Sequence, residues 1–255
     1  MAMPYRRRSW NDNPRTDACE TPAKRRHRPS GQGLLCVSIQ APSTQAALER
    51  IARAGAAADL VELRLDLLPK ADMEALVQAS PVPVIATVRS REEGGAGCNP
   101  PGKTVSMLAR ALEAGAAWVD VEMGLPPEAR KEIVHQAGTG RIILSHHTME
   151  GTPSSPMLTG LLERMAAFRP AVIKIVCLAL ALEDNRRVLA LIPQAQAMGL
   201  GITAFCMGRM GRISRVHSLR MGATLGYVAL SSPESTASGQ IPIQEMRRML
   251  QRSPA

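Results

Sequence analysis

Aromatic residues are scarce in this chain, which has two Trp, two Tyr and two Phe among 255 residues. Tyr5 and Trp10 lie within the first 33 residues. Proteins that bind single-stranded nucleic acid stack successive bases on several exposed rings. We therefore expect no nucleic-acid partner, although the formal net charge is +9.

Cysteines are few and widely spaced. The five are Cys19, Cys36, Cys98, Cys177 and Cys206, and they form no C-x-x-C motif. This spacing argues against a disulfide framework and a zinc ribbon, and it fits a reducing compartment. No apolar run approaches the 18 residues of a membrane span, and the N-terminus lacks the apolar part of a secretory signal. We expect a cytoplasmic protein with no membrane partner.

The positive charge is concentrated at the start of the chain. Residues 1–33 contain eight Lys and Arg against three Asp and Glu, so they carry +5 and the remaining residues carry +4. The segment is rich in Arg, Pro and Asn and has no apolar periodicity, which predicts a disordered basic extension. The alternative is a basic tether for RNA or for an acidic partner. Residues 34–255 then form a single folded domain.

Short apolar runs alternate with amphipathic stretches from residue 34 onward. Eight runs are typical of buried parallel strands: 34–39, 60–66, 82–88, 118–122, 142–145, 171–176, 202–207 and 223–228. Helices are predicted at 43–54, 73–78, 104–113, 127–136, 156–168, 182–197, 213–220 and 243–250. Eight strand–helix pairs predict an α/β fold, the (β/α)8 TIM barrel. The alternative is a doubly wound open sheet, but residues 38–42 lack its usual glycine fingerprint.

Polar residues occur at the carboxyl ends of the predicted strands. In a (β/α)8 barrel these ends surround the active site, so such residues are candidates for catalysis or binding. They are Ser38, Glu62, Arg64, Asp66, Arg89, Glu122, His147, Lys174 and Met207. Because all of them lie at the same end of their strands, we predict that they form one site at the mouth of the barrel.

Lys174 is the strongest candidate for a catalytic residue because it lies within an apolar strand, whereas the other four lysines lie in polar or turn-like surroundings. A buried ammonium is costly, so burial favours the neutral amine, a nucleophile toward carbonyl groups. The alternative is a lysine that reaches solvent at a strand edge or pairs with Glu122.

His147 ends the fifth predicted strand. Adjacent strand residues point to opposite faces, so only one of His146 and His147 can face the barrel axis. Ser145 and Met149 are poor second ligands for a metal, so we expect no metal site and assign His147 to general acid–base chemistry. The alternative is a structural role for His147, in packing or in capping.

Arg89 follows the third predicted strand, and Glu93 lies four residues later. An arginine at this place suits a carboxylate or a hydroxyl-rich substrate. A glutamate there could orient a histidine. The alternative for this segment is a solvated charged loop.

Seven segments, in order along the chain, resemble motifs of type I 3-dehydroquinate dehydratases, which form Schiff bases. They are Val61–Asp66 (E-x-R-x-D), Thr87–Gly95 (T-x-R-x-x-x-E-G-G), Asp120–Glu122 (D-x-E), Ser145–Pro153 (S-x-H and T-P), Ile173–Ile175 (the lysine strand), Met207–Arg215 (M-G-x-x-G-x-x-S-R) and Thr236–Gln240 (S/T-A-P-G-Q). The resemblance extends from about Leu34 to Leu250.

The chain departs from these motifs at several positions. Thr148 and Met149 replace Asp-Phe after the histidine, which would affect how the histidine is positioned. Ser238 replaces a proline, which would loosen the last loop. Ala171 replaces a frequent acidic residue. None of these changes removes a group that the chemistry requires.

The resemblance implies syn loss of water from 3-dehydroquinate, giving 3-dehydroshikimate, in aromatic amino acid biosynthesis. It assigns imine formation to Lys174, proton transfer to His147, and orientation of that histidine to Glu93. The substrate-binding residues that it implies are Ser38, Glu62, Arg64, Arg89, Arg215, Thr236 and Gln240. It implies no cofactor and no metal, and a homodimer.

Two other functions are open at this point. Another class I Schiff-base barrel, an aldolase or transaldolase, would share the lysine and bind phosphorylated sugars, for which Gly208 and Gly211 are the only hint. A non-catalytic regulator would keep the barrel and bind nucleic acid through residues 1–33.

Overall fold

Eight parallel β-strands alternate with helices around a common axis in the computed structural model, which describes residues 33–68 and 72–252. The strands are β1 (Leu34–Ile39), β2 (Leu60–Arg64), β3 (Val84–Thr87), β4 (Trp118–Glu122), β5 (Ile142–Thr148), β6 (Val172–Leu178), β7 (Ile202–Met207) and β8 (Leu225–Val228). This arrangement confirms the predicted (β/α)8 barrel. The predicted extension lies outside the described residues, apart from Gly33.

Nine α-helices occur in the described part of the chain. They are α1 (Thr44–Gly55), α2 (Met73–Gln78), α3 (Pro101–Glu113), α4 (Pro127–Ala137), α5 (Ser155–Ala166), α6 (Leu182–Leu189), α7 (Leu191–Ala197), α8 (Gly208–Arg220) and α9 (Ile243–Gln251). None of the described helices is long and apolar enough to cross a membrane.

Consecutive strands pair in parallel, and β1 also pairs with β8. The remaining seam, between β7 and β8, is joined by threonines. The Thr224 N–H donates to the Ile202 carbonyl at 2.7 Å. The Thr203 hydroxyl accepts from the Leu225 N–H at 2.9 Å and donates to the Leu225 carbonyl at 3.1 Å. A side chain thus takes the place of ladder bonds, so the barrel is nearly closed.

The helices pack their apolar stripes on the outer face of the barrel. In α1 the buried residues Ala47, Ile51 and Ala54 have the spacing of one helical face. The helix begins where the Ser43 hydroxyl accepts from the Ala46 N–H, which satisfies a donor that has no partner within the helix. Sequence pattern and capping therefore specify the same element.

The predicted helix at 182–197 is two helices. α6 ends at Leu189 and α7 begins at Leu191. Pro193 has no N–H to donate to the carbonyl four residues earlier, and its ring crowds that carbonyl, so a continuous helix is disfavoured here.

Candidate active site

The carboxyl ends of the strands surround a cavity of about 280 Å³, which we call the substrate cavity. The ten residues assigned to catalysis or substrate binding all line it: Ser38, Glu62, Arg64, Arg89, Glu93, His147, Lys174, Arg215, Thr236 and Gln240. Of the other strand-end candidates, Met207 lines the cavity, whereas Asp66 and Glu122 do not. These ten residues come from four strands, from the loops that follow β3 and β8, and from helix α8. They meet at one place because parallel strands of a barrel end at the same side.

Lys174 lies in the middle of β6 and is 4% exposed. Its Nζ atom is 2.9 Å from Oδ2 of Asp120 and 3.6 Å from Oε1 of Glu62, and it lies 3.9 Å from the ring centre of Tyr227. The amine is therefore held in place at the floor of the cavity.

Asp120 is a site residue that the sequence analysis missed. Burial alone would raise its pKa, but Arg89 and Lys174 outweigh burial and hold the pKa at about 2. Its carboxylate also accepts from the Ser145 hydroxyl at 2.5 Å. A signal was present, since Asp120 is two residues from Glu122 and alternate strand residues share a face.

His147 and Glu93 form a hydrogen-bonded pair, with 2.8 Å between His147 Nδ1 and Glu93 Oε2. Burial lowers the pKa of His147 well below its usual value, and the charges of Arg89 and Lys174 lower it further. Burial raises the pKa of Glu93 to about 8, against the opposing effect of Arg89. The imidazole is therefore neutral at neutral pH, as a proton acceptor must be.

Arg89 connects the acidic groups of the site. Its Nη1 atom donates to Glu93 Oε2 at 2.9 Å, to Glu122 Oε1 at 2.8 Å and to Ser145 Oγ at 3.0 Å. Its Nη2 atom lies 2.8 Å from Asp120 Oδ2. The guanidinium is thus engaged by protein groups, so its contact with substrate hydroxyls stays a prediction.

The loop that carries Glu93 is shaped by glycines. Gly94 has φ of +80°, a conformation that other residues rarely adopt. A side chain at Gly95 would meet the Arg89 carbonyl. Asp66 accepts from the backbone N–H groups of Arg89 and Ala96 at 3.2 and 3.1 Å, so it holds both ends of the loop.

Arg64 holds Asp66 in turn. Its Nε and Nη2 atoms donate to the two carboxylate oxygens at 2.9 and 2.7 Å, a bidentate pair. Arg64 therefore reaches the substrate cavity and also supports the loop of Glu93.

A chain of hydrogen bonds links β1 and β2 to the loop that follows β8. The Ser38 hydroxyl donates to Glu62 Oε2 at 2.6 Å and accepts from Gln240 Nε2 at 3.5 Å. Gln240 Oε1 accepts from the Thr236 N–H at 2.8 Å. Residues 231–240, which we call the closing loop, therefore cover one side of the substrate cavity.

Arg215 is a buried cation with no ion pair among the described residues. Its guanidinium lies 4.4 Å from the ring centre of Phe205, and Nη2 donates to the Ser238 carbonyl at 3.3 Å. Nε has no hydrogen-bond partner. Burial lowers its pKa to about 10, and Arg212 adds to this effect. A buried charge without a counter-ion is costly, so an anion bound at this end of the cavity would compensate it.

Fold and site together define a (β/α)8-barrel enzyme with a buried amine, an imidazole–carboxylate pair and an unpaired guanidinium around one cavity. Within residues 33–68 and 72–252, no group of three His, Cys, Asp or Glu side chains is placed to hold a metal ion.

Known proteins resemble this chain in sequence and fold. A profile of the type I 3-dehydroquinase family matches residues 35–254. A 3-dehydroquinate dehydratase of Desulfotalea psychrophila is 32% identical over 222 residues, 86% of this chain and 98% of that protein. Another, from Thermococcus onnurineus, is 36% identical over 216 residues, 84% and 95% of the two chains. The chain belongs to the type I 3-dehydroquinase family.

A solved structure shows the same fold. The type I 3-dehydroquinate dehydratase of Clostridium difficile has a TM-score of 0.78 at 23% identity, covering 86% of this chain and 91% of that chain. The family match does not favour the alternative of an aldolase or transaldolase.

Proposed function

We propose that this protein dehydrates 3-dehydroquinate through an imine on Lys174. Family membership supplies the reaction, loss of water from 3-dehydroquinate to give 3-dehydroshikimate. The observation that carries the assignment of residues is that Lys174, the His147–Glu93 pair and the unpaired Arg215 line the same cavity.

The first step joins the amine to the ketone. The Nζ lone pair of Lys174 attacks the carbonyl carbon, the oxygen takes up protons and leaves as water, and a protonated imine remains. Asp120, 2.9 Å from Nζ, stabilises the positive nitrogen. The imine then withdraws electrons from the adjacent C–H bond.

His147 carries out the proton transfers. Its neutral ring takes the proton from the adjacent carbon, and the C–H electrons move into the imine to form an enamine. The enamine returns these electrons to expel the hydroxyl, which leaves as water with the proton from His147. Glu93 is hydrogen-bonded to Nδ1 of His147, so it orients the ring. One further water hydrolyses the imine and frees Lys174.

Arg215 binds the substrate carboxylate. Its buried guanidinium lacks an ion-pair partner among the described residues, so a carboxylate would compensate its charge. Thr236 and Gln240 position the closing loop over the bound acid. Ser38, Glu62 and Arg64 face the ring hydroxyls, and Arg89 contributes by holding Glu93.

Borohydride trapping tests this proposal. Reduction of the protein during turnover of 3-dehydroquinate should give a stable adduct whose mass maps to Lys174. The variant Lys174→Ala should give no adduct and should retain at most a few per cent of the wild-type activity. Its circular dichroism spectrum should match that of the wild type. An active Lys174→Ala protein, or a wild-type protein without an adduct, would show that the imine assignment is wrong.

We also propose that the protein acts as a homodimer. Leu180, between β6 and α6, and Leu182, the first residue of α6, expose 67% and 63% of their surface. Asn185 donates to the carbonyls of both Leu182 and Met210, so a third residue with an exposed apolar side chain, Met210, lies nearby. Apolar groups exposed together favour contact with another chain. Sedimentation velocity should give twice the chain mass of 27.4 kDa, and Leu182→Glu should shift it toward one chain.

The compartment that we propose is the cytoplasm. The thiols of Cys36, Cys98, Cys177 and Cys206 are all free, as a reducing compartment requires. Cell fractionation tests this assignment, and recovery of the protein outside the cytoplasmic fraction would contradict it.

A further inference from the structure

Two of the cations in the substrate cavity lie over aromatic rings. The guanidinium carbon of Arg215 is 4.4 Å from the ring centre of Phe205, and Nζ of Lys174 is 3.9 Å from that of Tyr227. The two ring centres are 6.5 Å apart. Phe205 is buried and lines the substrate cavity. The ring that meets Arg215 is therefore part of the cavity wall.

The backbone holds Phe205 and Arg215 close together. The Ser214 hydroxyl accepts from the Cys206 N–H at 2.8 Å and donates to the Gly211 carbonyl at 2.6 Å. The first of these bonds joins the residue before Arg215 to the residue after Phe205. A Cβ atom at Gly211 would lie 2.6 Å from the Cys206 carbonyl oxygen, so α8 packs tightly on the end of β7. With the backbone fixed, the position of the guanidinium depends on its own side-chain contacts.

Among the described residues, the ring of Phe205 and one carbonyl hold the guanidinium of Arg215. Nη2 donates to the Ser238 carbonyl at 3.3 Å, and Nε has no hydrogen-bond partner. An aromatic face attracts a guanidinium through the ring quadrupole, most strongly where water is excluded. Such a face leaves the N–H groups at the edge of the guanidinium free, whereas a carboxylate neighbour in the protein would occupy them. The ring therefore stabilises the cation without competing with an acidic ligand.

We propose that Phe205 is a positioning residue for the substrate carboxylate, an inference that rests on the proposed function. Its ring holds the side chain of Arg215 at the cavity before the substrate arrives. Binding of the acid then requires little reordering of the cation, which lowers the cost of association. Phe205 acts through Arg215 and takes no part in the imine chemistry at Lys174.

Phe205→Leu removes the ring and keeps an apolar side chain. KM for 3-dehydroquinate should rise roughly tenfold, within the range of a desolvated cation–π contact. The value of kcat and the fraction of protein trapped by borohydride at saturating substrate should stay close to those of the wild type, because the contacts of Lys174 and His147 are retained. A residue that only supports the fold would not divide KM from kcat in this way.

Fluorinated phenylalanines at position 205 separate the charge distribution of the ring from its shape. Fluorine withdraws electron density from the ring face and so weakens the attraction for a cation, but it adds little volume. KM should therefore rise stepwise from phenylalanine to a monofluorinated and then a trifluorinated ring. This series keeps the shape of the ring, so it decides the question even if Phe205→Leu does not fold.

Phe168 is the matched control for the fluorinated series. It is the other phenylalanine of the chain, and the guanidinium carbon of Arg130 lies 5.2 Å from its ring centre. It lies outside the substrate cavity. The same fluorinated residues at position 168 should leave KM unchanged.

The Arg215→Ala background shows whether Phe205 acts through the guanidinium. Phe205→Leu should raise KM little further in this background, since the interaction that it removes is already lost. An equal rise in both backgrounds would mean that the ring acts on the substrate directly, and the inference would be wrong.

The outcomes separate the inference from the function on which it rests. A wild-type protein that does not dehydrate 3-dehydroquinate overturns the proposed function itself. If the wild type is active, an unchanged KM in Phe205→Leu and across the fluorinated series overturns the positioning role. A fall in kcat at unchanged KM also overturns it, because the ring would then act through Tyr227 and Lys174.

Discussion

The Nζ atom of Lys174 lies 2.9 Å from Oδ2 of Asp120, and Nη2 of Arg89 lies 2.8 Å from the same oxygen. One carboxylate therefore contacts both the lysine amine and the arginine guanidinium. Asp120 lies at the centre of the charge balance of the site, and its removal affects both the nucleophile and the group that holds Glu93.

Asp120→Asn should lower stability and activity together. Removal of one partner from a buried pair costs about 3–5 kcal/mol, so the free energy of unfolding at pH 7 should fall by that order. Chemical denaturation of the two proteins measures the difference. The pKa of Asp120 is lowered to about 2, so its stabilisation is present above the ordinary value near 4 and is lost as the pH falls toward 2. A gap that is constant from pH 7 to pH 2 would contradict this account.

Glu93→Gln should have the opposite dependence on pH. The pKa of Glu93 is raised to about 8, so burial of its ionised form costs stability as the pH rises from about 4.5 to 8. Glutamine has no such cost. The stability of the variant relative to the wild type should therefore increase with pH across this range, by at most about 1.4 kcal/mol per pH unit.

The activity of Glu93→Gln supplies the functional half of this test. Without the carboxylate, His147 loses the group that orients it, so kcat should fall by a factor of about 10² or more. The substitution Glu92→Gln, at an exposed neighbour, is the control. Equal kcat in Glu93→Gln and the wild type would remove Glu93 from the mechanism.

Arg215→Lys and Arg215→Ala test the carboxylate site. Lysine supplies only a point charge in place of a bidentate pair, so KM should rise strongly. Arg215→Ala should cost about 3–5 kcal/mol in kcat/KM, the range for truncating one partner of a buried charge pair. Imine trapping on Lys174 should persist in both at high substrate concentration. Normal KM values in both variants would refute the carboxylate assignment.

Glu234→Gln should weaken the closing loop. Glu234 lies 3.3 Å from Nε of Arg50 and 3.1 Å from Nη1 of Arg53, which attaches the loop to α1. Partly exposed pairs contribute about 0.2–1 kcal/mol each, so KM should rise about two- to fivefold with little change in kcat.

Two comparisons make the Glu234 test specific. Arg53→Gln should have a similar effect, and the double variant should be less than additive, since both remove one interaction. Glu245→Gln breaks the 2.7 Å pair with Arg212 away from the closing loop and should leave KM unchanged. Additive effects of Glu234→Gln and Arg53→Gln would rule out the attachment.

The local pattern of residues determined the class of fold and most of the site. Alternating apolar runs and amphipathic stretches predict strands and helices because each has its own periodicity, and polar residues at strand ends must meet in a barrel. Lys174, His147 and Glu93 could be found in this way. The helix break near Ala190 could also have been predicted, because Pro193 disfavours a continuous helix there.

Only the tertiary structure decided which charges meet. No local pattern shows that Asp120 contacts both Lys174 and Arg89 or that Arg215 lacks a carboxylate. These relationships join residues on different strands, and they depend on the register of the ladder and on the packing of the loops. Composition and periodicity describe one element at a time, whereas the balance of buried charge arises between elements.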